Sequence, residues 1–143
     1  MLLVKHLLGR KGREIWSVDS AAPVLTAIRM MAEHGVGALP VMRDGRLAGI
    51  VSERDYARKV ILMGRASADT PVAQIMSAPV VTVGTEDRVH RCMEIMTEKR
   101  IRHLPVVDAG GAMVGMVSIG DLVRAVIEEQ KETIEQLEKF IAG

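Results

Sequence analysis

Short apolar runs broken by glycine-containing turns recur along this chain, and the longest such pattern occurs twice. Leu39-Pro40-Val41, the turn residues Arg43-Asp44-Gly45 and the run Gly49-Ile50-Val51-Ser52 lead into Glu53-Arg54-Asp55. Leu104-Pro105-Val106, Asp108-Ala109-Gly110-Gly111 and Gly115-Met116-Val117-Ser118 lead into Ile119-Gly120-Asp121. The offset is 65 residues at the Leu-Pro-Val elements and 66 at the Gly-x-Val-Ser elements. An apolar run, a turn and a second apolar run predict a β-hairpin. Each hairpin delivers a Ser, two residues and an Asp to the mouth of a segment with helical apolar spacing. A repeat of this length is a whole supersecondary unit.

The remaining elements follow the same doubling. Ile15-Trp16-Ser17-Val18 predicts a short strand, and Val80-Val81-Thr82-Val83 is its counterpart 65 residues on. Val24, Leu25, Ile28, Met31 and Ala32 share one helical face, with Asp19 or Ser20 as cap and Pro23 in the first turn. Val89, Cys92, Met93 and Met96 repeat that face, Cys92 standing where the first copy has Ala27. Residues 1–9 predict a short amphipathic helix and Arg10-Lys11-Gly12-Arg13 a basic connector. Helices are expected over Asp55 to Met63 and Asp121 to Ala142, with one helical turn over Pro71 to Met76. The final helix outruns its twin and carries a surplus stripe of Ile134, Leu137 and Ile141, which predicts a homodimer contact.

The expected fold class is α/β (α+β), with two β-α-β-β-α half-domains in a pseudo-twofold pair, each too small to bury a core alone. The expected boundaries are an N-terminal segment 1–12, half-domains 13–66 and 80–130, a polar linker 67–79 and a helical extension 131–143.

Composition narrows the chemistry. Of 143 residues 48% are hydrophobic, yet Trp, Tyr and Phe occur once each, so Val, Ile, Leu, Met and Ala must build the core. Nineteen basic and eighteen acidic residues nearly cancel, which argues against binding nucleic acid through bulk charge. A single Cys excludes an internal disulfide framework and fits a reducing compartment. No apolar run approaches the ~18 residues of a membrane span. The first residues lack a signal-peptide pattern, so a cytoplasmic protein with no membrane partner is expected.

Catalytic patterns fail in turn. His6, His34, His90 and His103 lack metal-ligand spacing, and no Ser-His-Asp or Cys-His arrangement has compatible context. Gly35-Val36-Gly37 runs into Pro40, which breaks the dinucleotide fingerprint. The reading is a non-enzyme with no catalytic residue, metal or catalytic cofactor.

The doubled apolar-Pro-Val, turn, Gly-x-Val-Ser-x-x-Asp pattern resembles the cystathionine beta-synthase (CBS) domain, and two in tandem resemble a CBS pair, or Bateman module. Ser52-Glu53-Arg54-Asp55-Tyr56-Ala57-Arg58-Lys59 and Arg100-Ile101-Arg102-His103-Leu104-Pro105 are similar to the stand-alone bacterial type. The resemblance covers most of the chain. It implies binding of adenosine-containing ligands such as AMP, ATP, S-adenosylmethionine or NAD in the clefts between half-domains. It also implies a regulatory, signal-transducing role toward some regulated protein.

The residues make physical sense of that expectation. Asp55 and Asp121, at helix starts, can accept both hydroxyls of a ribose. Ser52 and Ser118 sit where free N–H groups welcome a phosphate or sugar oxygen. Ile15, Trp16 and Ser17 with Leu39 and Pro40 could line one adenine slot. Val80, Val81 and Thr82 with Leu104 and Pro105 could line the other. Arg54, Arg102 and His103 supply cations for phosphate. The copies differ here, since Arg54 corresponds to Gly120, Arg102 to Gly37 and His103 to Ala38.

A plainer reading stands beside each of these. Ser-x-x-Asp is also a helix cap, stabilising by about 1 kcal/mol. Arg54, Arg58 and Lys59 also suit a solvated helix face. The reading is thus an adenine-nucleotide-binding sensor, with a homo-oligomeric interaction module as the alternative. A nucleic-acid accessory would need Arg10, Lys11, Arg13, Arg54, Arg58 and Lys59 to form one stripe.

Overall fold

In the computed structural model, which describes residues 1–11 and 15–142, each copy of the repeat builds its own three-stranded sheet. The chain divides into two compact units. The first is Ile15–Val81, and the second joins Met1–Glu14 to Thr82–Gly143.

In the first unit, β1 (Val18–Asp19) runs parallel to β2 (Ala38–Arg43), which pairs antiparallel with β3 (Arg46–Ser52). The β2–β3 turn places Asp44 at φ 52° and Gly45 at φ 75°, the left-handed pair that tight hairpins require. Helix α2 (Val24–His34) fills the β1–β2 connection and buries Val24, Ala27 and Met31. They join Val18, Leu39, Val41, Val51, Val60, Val72 and Ile75 in an aliphatic core. After Ser52 the chain enters a helical turn α3 (Glu53–Tyr56), which continues as a π-helix over Ala57–Ile61.

The second unit repeats this arrangement. Strand β4 (Val83–Gly84) is parallel to β5 (His103–Val107), and β5 is antiparallel to β6 (Met113–Ser118). Helix α4 (Val89–Lys99) buries Val89, Cys92 and Met96, and α5 (Ile119–Ala142) buries Leu122 and Ala125. The mixed α/β class and the two β-α-β-β-α copies are those the sequence predicts.

The segment expected to be a linker, 67–79, packs within the first unit. Carbonyls of Thr70 and Ser67 accept the first free N–H groups of α2, from Val24 at 2.8 Å and Leu25 at 3.0 Å. Val72 N and Ala73 N return the exchange to Ala22 O and Ser20 O at 2.8 and 2.9 Å. This corrects the expected cap. Asp19 accepts from Ala21 N at 2.9 Å and Ser20 Oγ from Arg43 Nε at 3.2 Å, so neither side chain serves the helix. Backbone carbonyls satisfy the helix start instead.

The N-terminal helix α1 (Val4–Lys11) performs the same task in the second unit. Val89 N donates to Leu2 O at 3.0 Å, while Val4 N and Lys5 N donate to Asp87 O and Thr85 O at 2.9 Å each. Ala22 and Ser20 lie 65 residues before Asp87 and Thr85, so the two caps are equivalent. Each unit is therefore closed by the segment that precedes the other unit's first strand in sequence. Of the predicted connector, the backbone of residues 10 and 11 is helical, and residues 12 and 13 lie outside those described.

Two strand expectations need correction. Ile15–Ser17 and Val80–Thr82 precede β1 and β4 and are not strand, because the parallel pairing begins only at Val18↔Val41 and Val83↔Val106. The α2 face is also shifted, with Ala27 buried and Ala32 exposed.

Candidate functional site

At the end of β3, Ser52 pairs with Ala38, and the Glu53 N–H donates to Gly37 O at 3.0 Å. At the end of β6, Ser118 pairs with His103, and the Ile119 N–H donates to Arg102 O at 2.9 Å. The same tie thus pins each helix mouth to the residue that opens the unit's central strand. It brings Arg102 and His103 next to Ser118 and Asp121. In the first unit those places hold Gly37 and Ala38, so Arg54 is the cation at that mouth.

Both aspartates are engaged. The Ser52 N–H and Oγ each donate to Asp55 Oδ2 at 3.0 Å, and Asp55 N donates back to Ser52 Oγ at 3.1 Å. Ser118 N donates to Asp121 Oδ2 at 2.8 Å and receives Asp121 N on Oγ at 3.2 Å. These are reciprocal capping boxes. The outer oxygen Oδ1 meets a cation in each, Lys59 at 3.0 Å from Asp55 and Arg124 at 2.9 Å from Asp121. The aspartate side chains keep only 13% and 10% of their exposure, whereas Lys59 keeps 43% and Arg124 73%. Each mouth thus presents a nearly buried carboxylate with one oxygen fixed by backbone and the other covered by a long, solvent-reaching cation.

Sequence reading missed both of these partners. Lys59 had the plainer reading of a solvated face, yet it also donates to Ile75 O at 2.9 Å. The signal was the charge spacing, i,i+4 and i,i+3 from the aspartates.

The slot residues are placed unequally. Leu39 and Leu104 are core side chains at 1% and 0% exposure, so only their backbone could face a ligand. Pro40 and Pro105 are buried beside them. Ile50 exchanges its backbone bonds with Ser77 at 3.1 and 2.8 Å, so the Pro40↔Ile50 pair needs none and proline's missing N–H costs nothing there. Because β1 covers only Val41 and Met42, the β1-side edge of β2 at Leu39 and Pro40 carries no strand partner. Trp16 lies half-buried and stacks on His34, ring centroids 4.0 Å apart and planes within 11°. His34 escaped the sequence reading because nothing in its spacing marks a stack between α2 and the segment before β1. Ile15 and Ser17 are exposed, Val80 and Val81 half-buried, and Thr82 exposed. Arg54 and Arg102 reach solvent.

Burial pushes the Cys92 thiol up to about 11, with Asp87 adding to the rise. It is a core side chain, as its alignment with Ala27 implies. Among the described residues no cluster of His, Cys, Asp and Glu could hold a metal ion, and no helix is long and apolar enough to cross a membrane.

A doubled helix-mouth carboxylate on twin three-stranded sheets defines a tandem regulatory-domain architecture, and comparison with known proteins gives it a family. The CBS domain model matches residues 10–61 and 72–128. The chain belongs to the CBS domain family and carries two such domains. It is 48% identical over 125 residues to the mitochondrial CBS domain-containing protein CBSX3 of Arabidopsis thaliana. That match takes in 84% of this chain and 60% of the relative, so the chain spans less than two thirds of that protein. A CBS-domain protein structure from Burkholderia ambifaria MC40-6 is 48% identical, with a TM-score of 0.86 over 90% of this chain and 96% of that one. The CBS domain pair of protein MJ0100, solved in complex with 5-methylthioadenosine and S-adenosyl-L-methionine, is 25% identical with a TM-score of 0.80. That match covers 90% of this chain and 98% of the other.

Proposed function

We propose that this CBS pair binds an adenosine-containing nucleotide of the AMP, ATP or NAD type and acts, without catalysing a reaction, as a homodimeric regulatory sensor. The carrying observation is the recurrence, in both units, of a nearly buried carboxylate at a helix mouth whose outer oxygen is covered only by a mobile cation. A ribose diol can take that oxygen. The displaced Lys59 or Arg124 is then free to meet the ligand's phosphates, beside Arg54 in one unit and Arg102 and His103 in the other. The adenosine compounds bound by the MJ0100 pair are of the same chemical class. Ser17, Thr82 and the open backbone edge at Leu39 and Pro40 are the proposed contacts for the base.

Calorimetric titration with AMP, ATP, NAD and S-adenosylmethionine tests this. Asp121→Ala should cost about 1–3 kcal/mol of binding by leaving ribose hydroxyls unpaired. Unchanged affinity in both Asp55→Ala and Asp121→Ala would assign the carboxylates to capping alone.

A second reading is favoured by that same capping, since both oxygens of Asp55 already have partners. On it the chain is an interaction module for a regulated protein, and its nucleotide sites are secondary or empty. Mass spectrometry of small molecules released from the purified protein separates the two.

A further inference from the structure

Helix α5 buries Leu122 and Ala125 in its first two turns, and from residue 130 to 142 every residue is exposed. The exposed half is nevertheless patterned. Ile127, Ile134 and Ile141 recur every seven residues, at 46%, 54% and 82% exposure, and Leu137 follows Ile134 by three at 56%. Gln130 holds the equivalent place after Ile127. A seven-residue repeat with a second position three residues on is the seam by which one helix packs knobs into the holes of another.

We propose that this seam closes on the same helix of a second copy of the chain, running antiparallel. The inference rests on the self-association proposed above and names its surface and direction. Charge decides the direction. With Ile134 opposite the partner copy's Leu137, an antiparallel seam sets Gln130 opposite Ile141. Lys131 then faces Glu138 on one flank, and Thr133 faces Phe140 on the other. The two-fold relation makes every such pair twice, so two Lys131–Glu138 pairs lock the register. A parallel seam brings Lys131 beside Val126 and Glu138 beside Thr133, and pairs no charges. The antiparallel overlap also stays within the exposed part of each helix, since it ends where Ile141 meets Gln130. It covers Phe140, which is otherwise 84% exposed. The anchored turns at Leu122 and Ala125 supply the nucleus that an isolated helix of this length lacks.

Sedimentation velocity on the full chain over a range of concentrations, at low ionic strength, tests this. Ile134→Glu with Leu137→Glu should make the chain monomeric while its circular dichroism and melting temperature stay as in the parent, because both sites are exposed. Lys131→Glu and Glu138→Lys should each weaken the dimer roughly three- to tenfold, and the double reversal should restore it to within about twofold. A dimer indifferent to Ile134→Glu with Leu137→Glu overturns the surface. Charge reversals that fail to compensate each other overturn the antiparallel register. A parent chain that stays monomeric, even one whose seam captures a different protein, overturns both this proposal and the homodimer. Nucleotide titration of the Ile134→Glu, Leu137→Glu variant reads the sensor proposal separately.

Discussion

Leu8 lies so closely over Gly115 that a methyl group built on that glycine would stand 2.5 Å from Leu8 Cδ2. Met76 covers Gly49 in the same way, at 2.7 Å from its Sδ, but there the Ser77 carbonyl oxygen is also only 2.9 Å away. Leu8 can rotate and a backbone carbonyl cannot. Gly49→Ala should therefore cost about 1–3 kcal/mol, the range for overpacking. Gly115→Ala should cost less, and adding Leu8→Ala to it should leave no further penalty from the clash. Urea denaturation of the three variants reads the order, and equal losses at the two glycines would contradict it.

The caps give a second prediction. Leu7 and Ile75 are buried at 6% and 0% exposure in equivalent places under different units. Either residue changed to Ala should lose about 2–5 kcal/mol, as buried aliphatic truncations do. Amide exchange should localise the loss. Leu7→Ala should speed exchange in β5 and β6, although seventy and more residues separate it from Leu104 and Val117. Exchange accelerated instead around Leu39 and Val51 would show that α1 serves the first unit.

Cys92 gives a pH dependence with a defined sign. Its thiol titrates at about 11 when folded, against 9.0 for an ordinary thiol. A raised acid favours the neutral form, so the folded state holds its advantage below pH 9 and loses it as pH rises toward 11. Replacing Cys92 by Ala should flatten that part of the stability profile. In the parent at pH 8, a maleimide reagent should label Cys92 only after denaturation. Rapid labelling of the native protein would show an open core.

Sensing requires that ligand favour one conformational state over another. Saturating nucleotide should slow amide exchange at Arg54 to Lys59 and at Arg100 to Leu104. At about 100 times the dissociation constant it should add ~2.7 kcal/mol of stability. Stabilisation with no change of exchange beyond the contacting residues would indicate a static binding module.

The sequence by itself determined the two hairpins, the helices behind them and the Ser-x-x-Asp boxes, because each rests on contacts between residues near in sequence. Alternation fixes which side chains of β2 and β5 enter the core, the Asp44-Gly45 pair forces a left-handed turn, and a capping box spans only three residues. What the aspartates hold was half visible, since Lys59 and Arg124 sit one helical turn away. Tertiary structure decided the rest. Nothing local tells residues 67–79 to close the unit of α2, or residues 1–11 to close that of α4, because free N–H groups accept any carbonyl that arrives and composition does not name the donor segment. The Trp16–His34 stack likewise needs α2 folded back against the segment before β1. The strands β1 and β4 shrank to two residues each because parallel pairing starts where the central strand offers a partner, a boundary no apolar run marks.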